Sequence, residues 1–165
     1  MPIPSKFHYT FNLRDVSKVF IGMTQVDRRN IREPEDLVRL WTHETMRVYH
    51  DRLINEIDQE WFYEEMIGLV NTHFRIRWEK EEVFKNNVIH FTELLTCQEE
   101  TITYEDIKDP KKILKGLEDL QEDYNQDNAN KLTLCFFEDA LEHMLRIVRI
   151  LRQDRGNAIL IGVPG

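Results

Sequence analysis

A chain of 165 residues has room for one ordinary hydrophobic core, or for one domain and the first element of another. Hydrophobic residues make up 41% and charged residues 32%, with only 6 glycines and 5 prolines, which suits a soluble, mostly helical protein and excludes a sandwich or a disordered tail. The formal net charge of -8 argues against a nucleic-acid binder. No run approaches the roughly 18 apolar residues of a membrane span, and Met1 to Lys6 lacks a signal-peptide core, so an intracellular protein without membrane or nucleic-acid partners is expected.

The first helix is signalled at Asn12, which can accept from the free N–H groups of a first turn, with Asp15 in capping-box position and Phe11 able to staple onto Val16. Leu13, Val16, Phe20 and Met23 form one apolar stripe, while Arg14 and Lys18, four apart, present two cations together. Pro34 opens a second helix at its favoured first position, followed by Glu35 and Asp36, whose charges suit that end of the macrodipole. Leu37, Trp41 and Val48 on one side, with Val38, Tyr49 and Leu53 on the next, predict burial over a wide arc. Glu44, Arg47 and Asp51 are spaced for a polar network along this helix. A third amphipathic helix is expected from Trp61 to Phe74, offering Trp61, Met66, Leu69, Val70 and Phe74 to the core.

From about 75 to 108 no helical period is sustained. Arg75 to Trp78 alternates like a strand, Val88 to Phe91 is β-prone and Thr101 to Tyr104 alternates again, so a small strand-containing or irregular insert is expected. The acidic stretch from Glu93 to Asp127 reads as a solvated face. Asp109 and Pro110 start a helix through Leu114, Leu117 and Leu120 that ends near Asn125 to Asn128. A last helix is expected over about Leu132 to Gln153, with Phe137, Ala140, Leu141, Met144, Val148 and Leu151 on one face. Its acidic residues come early and Arg146, Arg149 and Arg152 late, as the dipole favours. Gly156 supplies a stop, and Ala158 to Ile161 reads as a buried strand.

Cys97 and Cys135 have no metal-ligand spacing and read as reduced, partly buried structural thiols. His43 and His50 invite a metal-dependent hydrolase reading, but seven residues is about 10 Å along a helix, too far for a zinc pair, and no metal site is expected. Gly162 and Gly165 resemble the opening of a phosphate-binding loop whose lysine and hydroxyl residues are missing. This reads as a piece of a larger protein ending before a nucleotide site, with no catalytic residue of its own. A lone terminal strand points the same way, because it would need a sheet from another module.

Three stretches together resemble one family. They are Ser5 to Val19 (SKFHYTFNLRDVSKV), Leu40 to Glu44 (LWTHE) with Arg47-Val48 and Asp51-Arg52-Leu53, and a later set. The later set comprises Tyr124-Asn125, Phe136 to Ala140, His143, Arg146-Ile147, Arg149-Ile150 and Arg155 to Ala158. The chain resembles the dynein heavy chains, and its last helix is similar to the axonemal ones. The resemblance implies a mainly α fold, in which residues 1–122 are the small helical-bundle lid of a third AAA+ module, with the insert at about 75–108. Residues 123–165 would be a linker helix and the first strand of the fourth module.

The resemblance further implies that Arg14 is a sensor II arginine reaching the γ-phosphate of its own module's nucleotide, with Lys18 an assisting or a plain surface cation. ATP and Mg²⁺ would serve the whole motor and no cofactor the segment alone. Implied partners are the adjacent AAA+ modules, and through the full complex intermediate chains, light chains and microtubules, in the cytoskeleton of a cilium or flagellum. The chain departs from the family at Ile21, where glutamine is expected. It departs again at Pro164, whose fixed φ and missing N–H replace a loop glycine. The alternative is a stand-alone helical interaction module from a truncated heavy chain.

Overall fold

The computed structural model describes residues 3–7, 9–86, 89–97 and 100–162, and Val88, Pro164 and Gly165 lie outside them. The chain forms two compact units, Met1–Phe91 with Thr103–Lys108, and Thr92–Ile102 with Asp109–Gly165.

In the first unit, helix α1 (Leu13–Met23) begins as its sequence predicts, with Asn12 and Asp15 forming a reciprocal capping box. Of its expected apolar stripe only Met23 packs on the core; Leu13, Val16 and Phe20 face outward, Leu13 at 84% exposure, and the buried edge is Asp15, Val19 and Gly22. Helix α2 (Pro34–Val48) starts at Pro34 and is buried over a wide arc, from Val38 and Leu40 to Met46 and Val48. Leu37 is exposed, and much of the buried arc is polar: Arg39, Thr42, His43, Glu44 and Thr45.

Helix α3 (Glu56–Leu69) starts five residues before Trp61, at an Asn55 cap that accepts from the Asp58 N–H, and a π-helical turn (Val70–Phe74) extends it. Phe62, Met66 and Val70 turn inward, leaving Trp61, Leu69 and Phe74 exposed, contrary to expectation. The wider π turn rotates the last residues off the face that a regular α period would assign them.

Arg75 to Trp78 is no strand. Arg75 closes the π turn in the left-handed region at φ 59°, which breaks extended backbone. The side-chain amide of Asn71 then takes the place of a partner strand, accepting from the Trp78 N–H at 2.9 Å and donating to its carbonyl at 3.3 Å. Two short strands follow, β1 (Phe91–Thr92) and β2 (Glu105–Asp106), paired with each other, and Tyr104 forms a parallel bridge with Val26. The insert is central to the unit: Trp78, Val83, Ile89, Phe91 and Tyr104 join Val38, Leu40 and Val70 in one hydrophobic cluster. A second cluster gathers Met46, Phe62 and Met66, flanked by Tyr49, Leu53 and Tyr63.

In the second unit, helix α4 (Pro110–Asp127) starts at Asp109, whose carboxylate accepts from the Lys111 N–H, and buries Ile113 and Leu117. A 3-10 turn (Leu94–Thr96) packs on α4, where a Cβ added at Gly116 would meet the Leu95 side chain at 2.5 Å. Helix α5 (Glu138–Arg152) begins six residues later than the apolar pattern suggests, and Leu132 to Phe137 is non-helical, with Phe137 in extended conformation at its start. Asn125 bonds both the N–H and the carbonyl of Leu132, at 2.6 and 2.8 Å, and Gln121 accepts from the Leu134 N–H at 2.7 Å. These amides bind backbone groups that a helix would use, so the segment stays outside α5; Phe137 is exposed and the inward residues of α5 are Leu141 and Leu145.

Two expectations for this unit are corrected. Cys97 and Cys135 are free, as expected of reduced thiols, but exposed rather than partly buried, one after a tight turn and the other on the non-helical segment before α5. Residues Ile159, Leu160 and Ile161 are 88, 74 and 93% exposed and form no ladder among the described residues. Extended backbone becomes a buried strand only where a sheet edge receives it. Past α5, Arg155 takes the left-handed conformation at φ 56°, and a Cβ at Gly156 would meet the Ile150 carbonyl oxygen at 1.8 Å. The glycine therefore allows close backbone approach at the helix end, rather than providing the positive φ itself.

Candidate functional site

The first two turns of α1 carry the candidate cations. Asn12 Oδ1 accepts from the Arg14 N–H at 2.8 Å, and Asp15 Oδ2 accepts from the Asn12 N–H at 3.0 Å. With those donors engaged by the cap, the turn's exposed charge is in its side chains rather than in a free helix terminus. Arg14 is exposed, and no ion pair holds its guanidinium among the described residues. Lys18, with a 65% exposed side chain, pairs loosely with Asp15 Oδ1 at 3.4 Å. The helix thus offers one unengaged planar cation and, one turn on, one partly neutralised ammonium.

Asp15 is the anchor of this arrangement. Its Oδ1 also receives Arg52 Nη1 at 3.2 Å, from the turn after α2, and Arg52 lies over the Phe11 ring at 4.6 Å and donates to the Thr10 carbonyl at 3.1 Å. The Asn12 N–H, then Lys18 and Arg52, hold the Asp15 carboxyl below its ordinary value although burial works against them. Its capping role is legible from spacing. Its pairing with Arg52, 37 positions on, is not, because no local pattern joins the two.

At the other end of α1, Gly22 lies against the fully buried Glu44 of α2: a Cβ there would sit 1.8 Å from Glu44 Oε2. Glu44 Oε1 accepts from the Tyr104 hydroxyl at 2.7 Å. Arg47 pairs with Asp51 at 3.4 Å, and Asp51 Oδ1 stands 3.8 Å from His50 Nδ1. The spacing of Glu44, Arg47 and Asp51 suggested one network along α2. The bond from Glu44 to Tyr104 leads across the unit into the insert.

His43 Nδ1 meets the Ile89 carbonyl oxygen at 3.0 Å, while His50 stacks on Tyr63 with centroids 4.7 Å apart. Among the described residues no three His, Cys, Asp or Glu side chains gather where a metal could bind, and no helix is long and apolar enough to cross a membrane. Arg39 and Asp106, which no motif marks, form a buried two-point ion pair at 2.6 and 3.0 Å joining α2 to β2. Gly162 has open space around it, and its loop partner Gly165 lies outside the described residues. Ile21 is exposed, on the outward side of α1.

An exposed guanidinium such as that of Arg14 is a planar fork of the kind that takes up phosphate oxygens.

Residues 1–84 match the family model of the AAA+ lid domain, and residues 132–165 match that of the P-loop containing dynein motor region D4. The chain is 42% identical over 167 residues to human dynein axonemal heavy chain 6 and 42% identical over 165 residues to mouse dynein axonemal heavy chain 1, each alignment covering 100% of this chain. It is 40% identical over 166 residues to human dynein axonemal heavy chain 10, covering 99% of this chain. The chain spans 4% of the length of each of these relatives.

Proposed function

Because the chain belongs to the dynein heavy-chain family, axonemal type, and carries its AAA+ lid, we propose that it is the lid and inter-module linker of a motor ring. In this reading residues 1–122 close over the nucleotide of the third AAA+ module, and residues 123–165 lead into the fourth. The segment couples ATP binding and hydrolysis to microtubule-based movement in a cilium or flagellum, and alone it has no ATPase activity. ATP with Mg²⁺ supplies the free energy in the complete motor. The segment presents the Arg14 guanidinium toward the γ-phosphate, so that loss of that phosphate releases the lid.

The observation that carries the reading is Arg14 itself: an exposed cation without an ion-pair partner among the described residues, on a helix whose other first-turn groups are held by its cap. Lys18 is the lesser candidate, since Asp15 engages it. Large apolar side chains left outward, among them Leu13, Phe20, Trp61 and Ile161, support neighbouring modules of the same heavy chain as the direct partners. Intermediate chains, light chains and microtubules would then be reached through the complete assembly.

The test is microtubule gliding and ATP turnover by a complete heavy chain with Arg14→Ala. A coupling role predicts about a five-fold or greater fall in the nucleotide response, and wild-type behaviour would remove Arg14 from the mechanism. Separately, ATP hydrolysis by the isolated chain above the rate of an Arg14→Ala, Lys18→Ala double variant would overturn the assignment of an inactive segment.

A further inference from the structure

We infer that Glu44 is a positioning residue for Arg14, acting through the glycine at which α1 rests on it; the inference stands on the reading of Arg14 as a phosphate sensor. With no ion pair fixing the guanidinium among the described residues, its reach is set by where α1 lies. Displacements of about 1 Å are enough to change how a positioned group acts on a reacting phosphate. The lie of α1 is decided along its narrow buried edge of Asp15, Val19 and Gly22.

Both ends of that edge are pinned by polar groups. At the amino end, Arg52 holds Asp15 at 3.2 Å. At the carboxyl end, Gly22 touches Glu44 so closely that an added Cβ would lie 1.8 Å from Oε2 and 2.3 Å from Cδ. Glu44 is itself held by the Tyr104 hydroxyl at 2.7 Å, and the Tyr104 backbone bridges to Val26, three residues beyond the end of α1. Gly22, Glu44, Tyr104 and Val26 thus close a ring that ties the helix, and the chain leaving it, to one buried carboxylate.

The place of this carboxylate is unusual for a helix end. The carboxyl-terminal turn of a helix disfavours nearby negative charge, and a fully buried carboxylate is costly compared with a well-packed apolar side chain. What Glu44 supplies is a rigid, hydrogen-bonded stop of fixed length under Gly22, which sets the depth and tilt of α1 and so the reach of Arg14.

The test is a double-mutant cycle in the complete motor, measuring kcat and KM for ATP with Arg14→Ala, Gly22→Ala and the pair. Gly22→Ala is expected to move the same parameter as Arg14→Ala, in the same direction and by about three-fold or more, with the pair no worse than Arg14→Ala alone within about two-fold. Adding Glu44→Asp, whose carboxylate is one methylene shorter, should restore at least half of the response lost in Gly22→Ala. If Arg14→Ala is effective but Gly22→Ala is silent or simply multiplies with it, the positioning role is wrong and the sensor stands. If Arg14→Ala is itself silent, the sensor reading fails and the inference falls with it. Should Gly22→Ala yield no soluble motor, Tyr104→Phe replaces it in the same cycle with the same two outcomes.

Discussion

Asp15 is buried at 4% exposure and charged, because the Asn12 N–H, Lys18 and Arg52 together outweigh its loss of water. Its pKa is lowered from the ordinary 3.8 on folding, so the stability it contributes is complete above that value and disappears as pH falls through the lower folded one. Asp15→Asn, which removes the carboxylate from the cap and from both cations, is expected to cost about 1–3 kcal/mol near pH 7. It should also flatten the loss of stability below about pH 4, read by thermal unfolding across pH. The cap was legible because all its atoms lie within four residues. The pairings of Arg52, Tyr104 and Asp106 are not legible because their partners are distant in sequence, and a lone arginine or tyrosine looks the same whether it faces water or a buried carboxylate. The cysteines were misplaced for a related reason, since thiol burial is a statistical habit of the residue type and carries no positional information.

At the scale of elements, helix starts were read well wherever a capping or proline signal stood at the boundary, as at Asn12, Pro34 and Asp109. Helix ends and outward faces were read less well. The π turn after Leu69 shifts the facing of Phe74, and Leu132 to Phe137 carries a helical apolar pattern yet lies outside α5. One device recurs at both kinds of miss: an asparagine at a helix end bonds the N–H and carbonyl of the residue seven positions on, Asn71 to Trp78 and Asn125 to Leu132. A side-chain amide then does what a neighbouring strand would do, and neither propensity nor periodicity records it. The first instance places Trp78 in the core, where its Nε1 also donates to Glu35 at 3.2 Å. Trp78→Ala is therefore expected to cost about 3–5 kcal/mol, a loss that denaturant unfolding would measure. A cost under about 1 kcal/mol would mean that the insert is peripheral after all.

For the whole molecule, the exposed run Ile159 to Ile161, without a strand partner among the described residues, is an apolar segment of the kind that seeks a sheet edge. The isolated chain is expected to associate in a concentration-dependent way through it, and Ile159→Lys with Ile161→Lys should suppress that association in light scattering while leaving helical content unchanged. Unaltered association would place the sticky surface elsewhere, on α1 or α3. The helical class, the helix starts at Asn12, Pro34 and Asp109 and the family are all legible in residue order, because they rest on local capping chemistry and on motif. Only the tertiary structure decided which face of α1 is buried, that the insert completes a core, and that Glu44 reaches Tyr104. Those outcomes depend on which distant groups meet at a given depth, and there a small residue such as Gly22 or a satisfied carboxylate such as Glu44 can displace an apolar stripe from the interior.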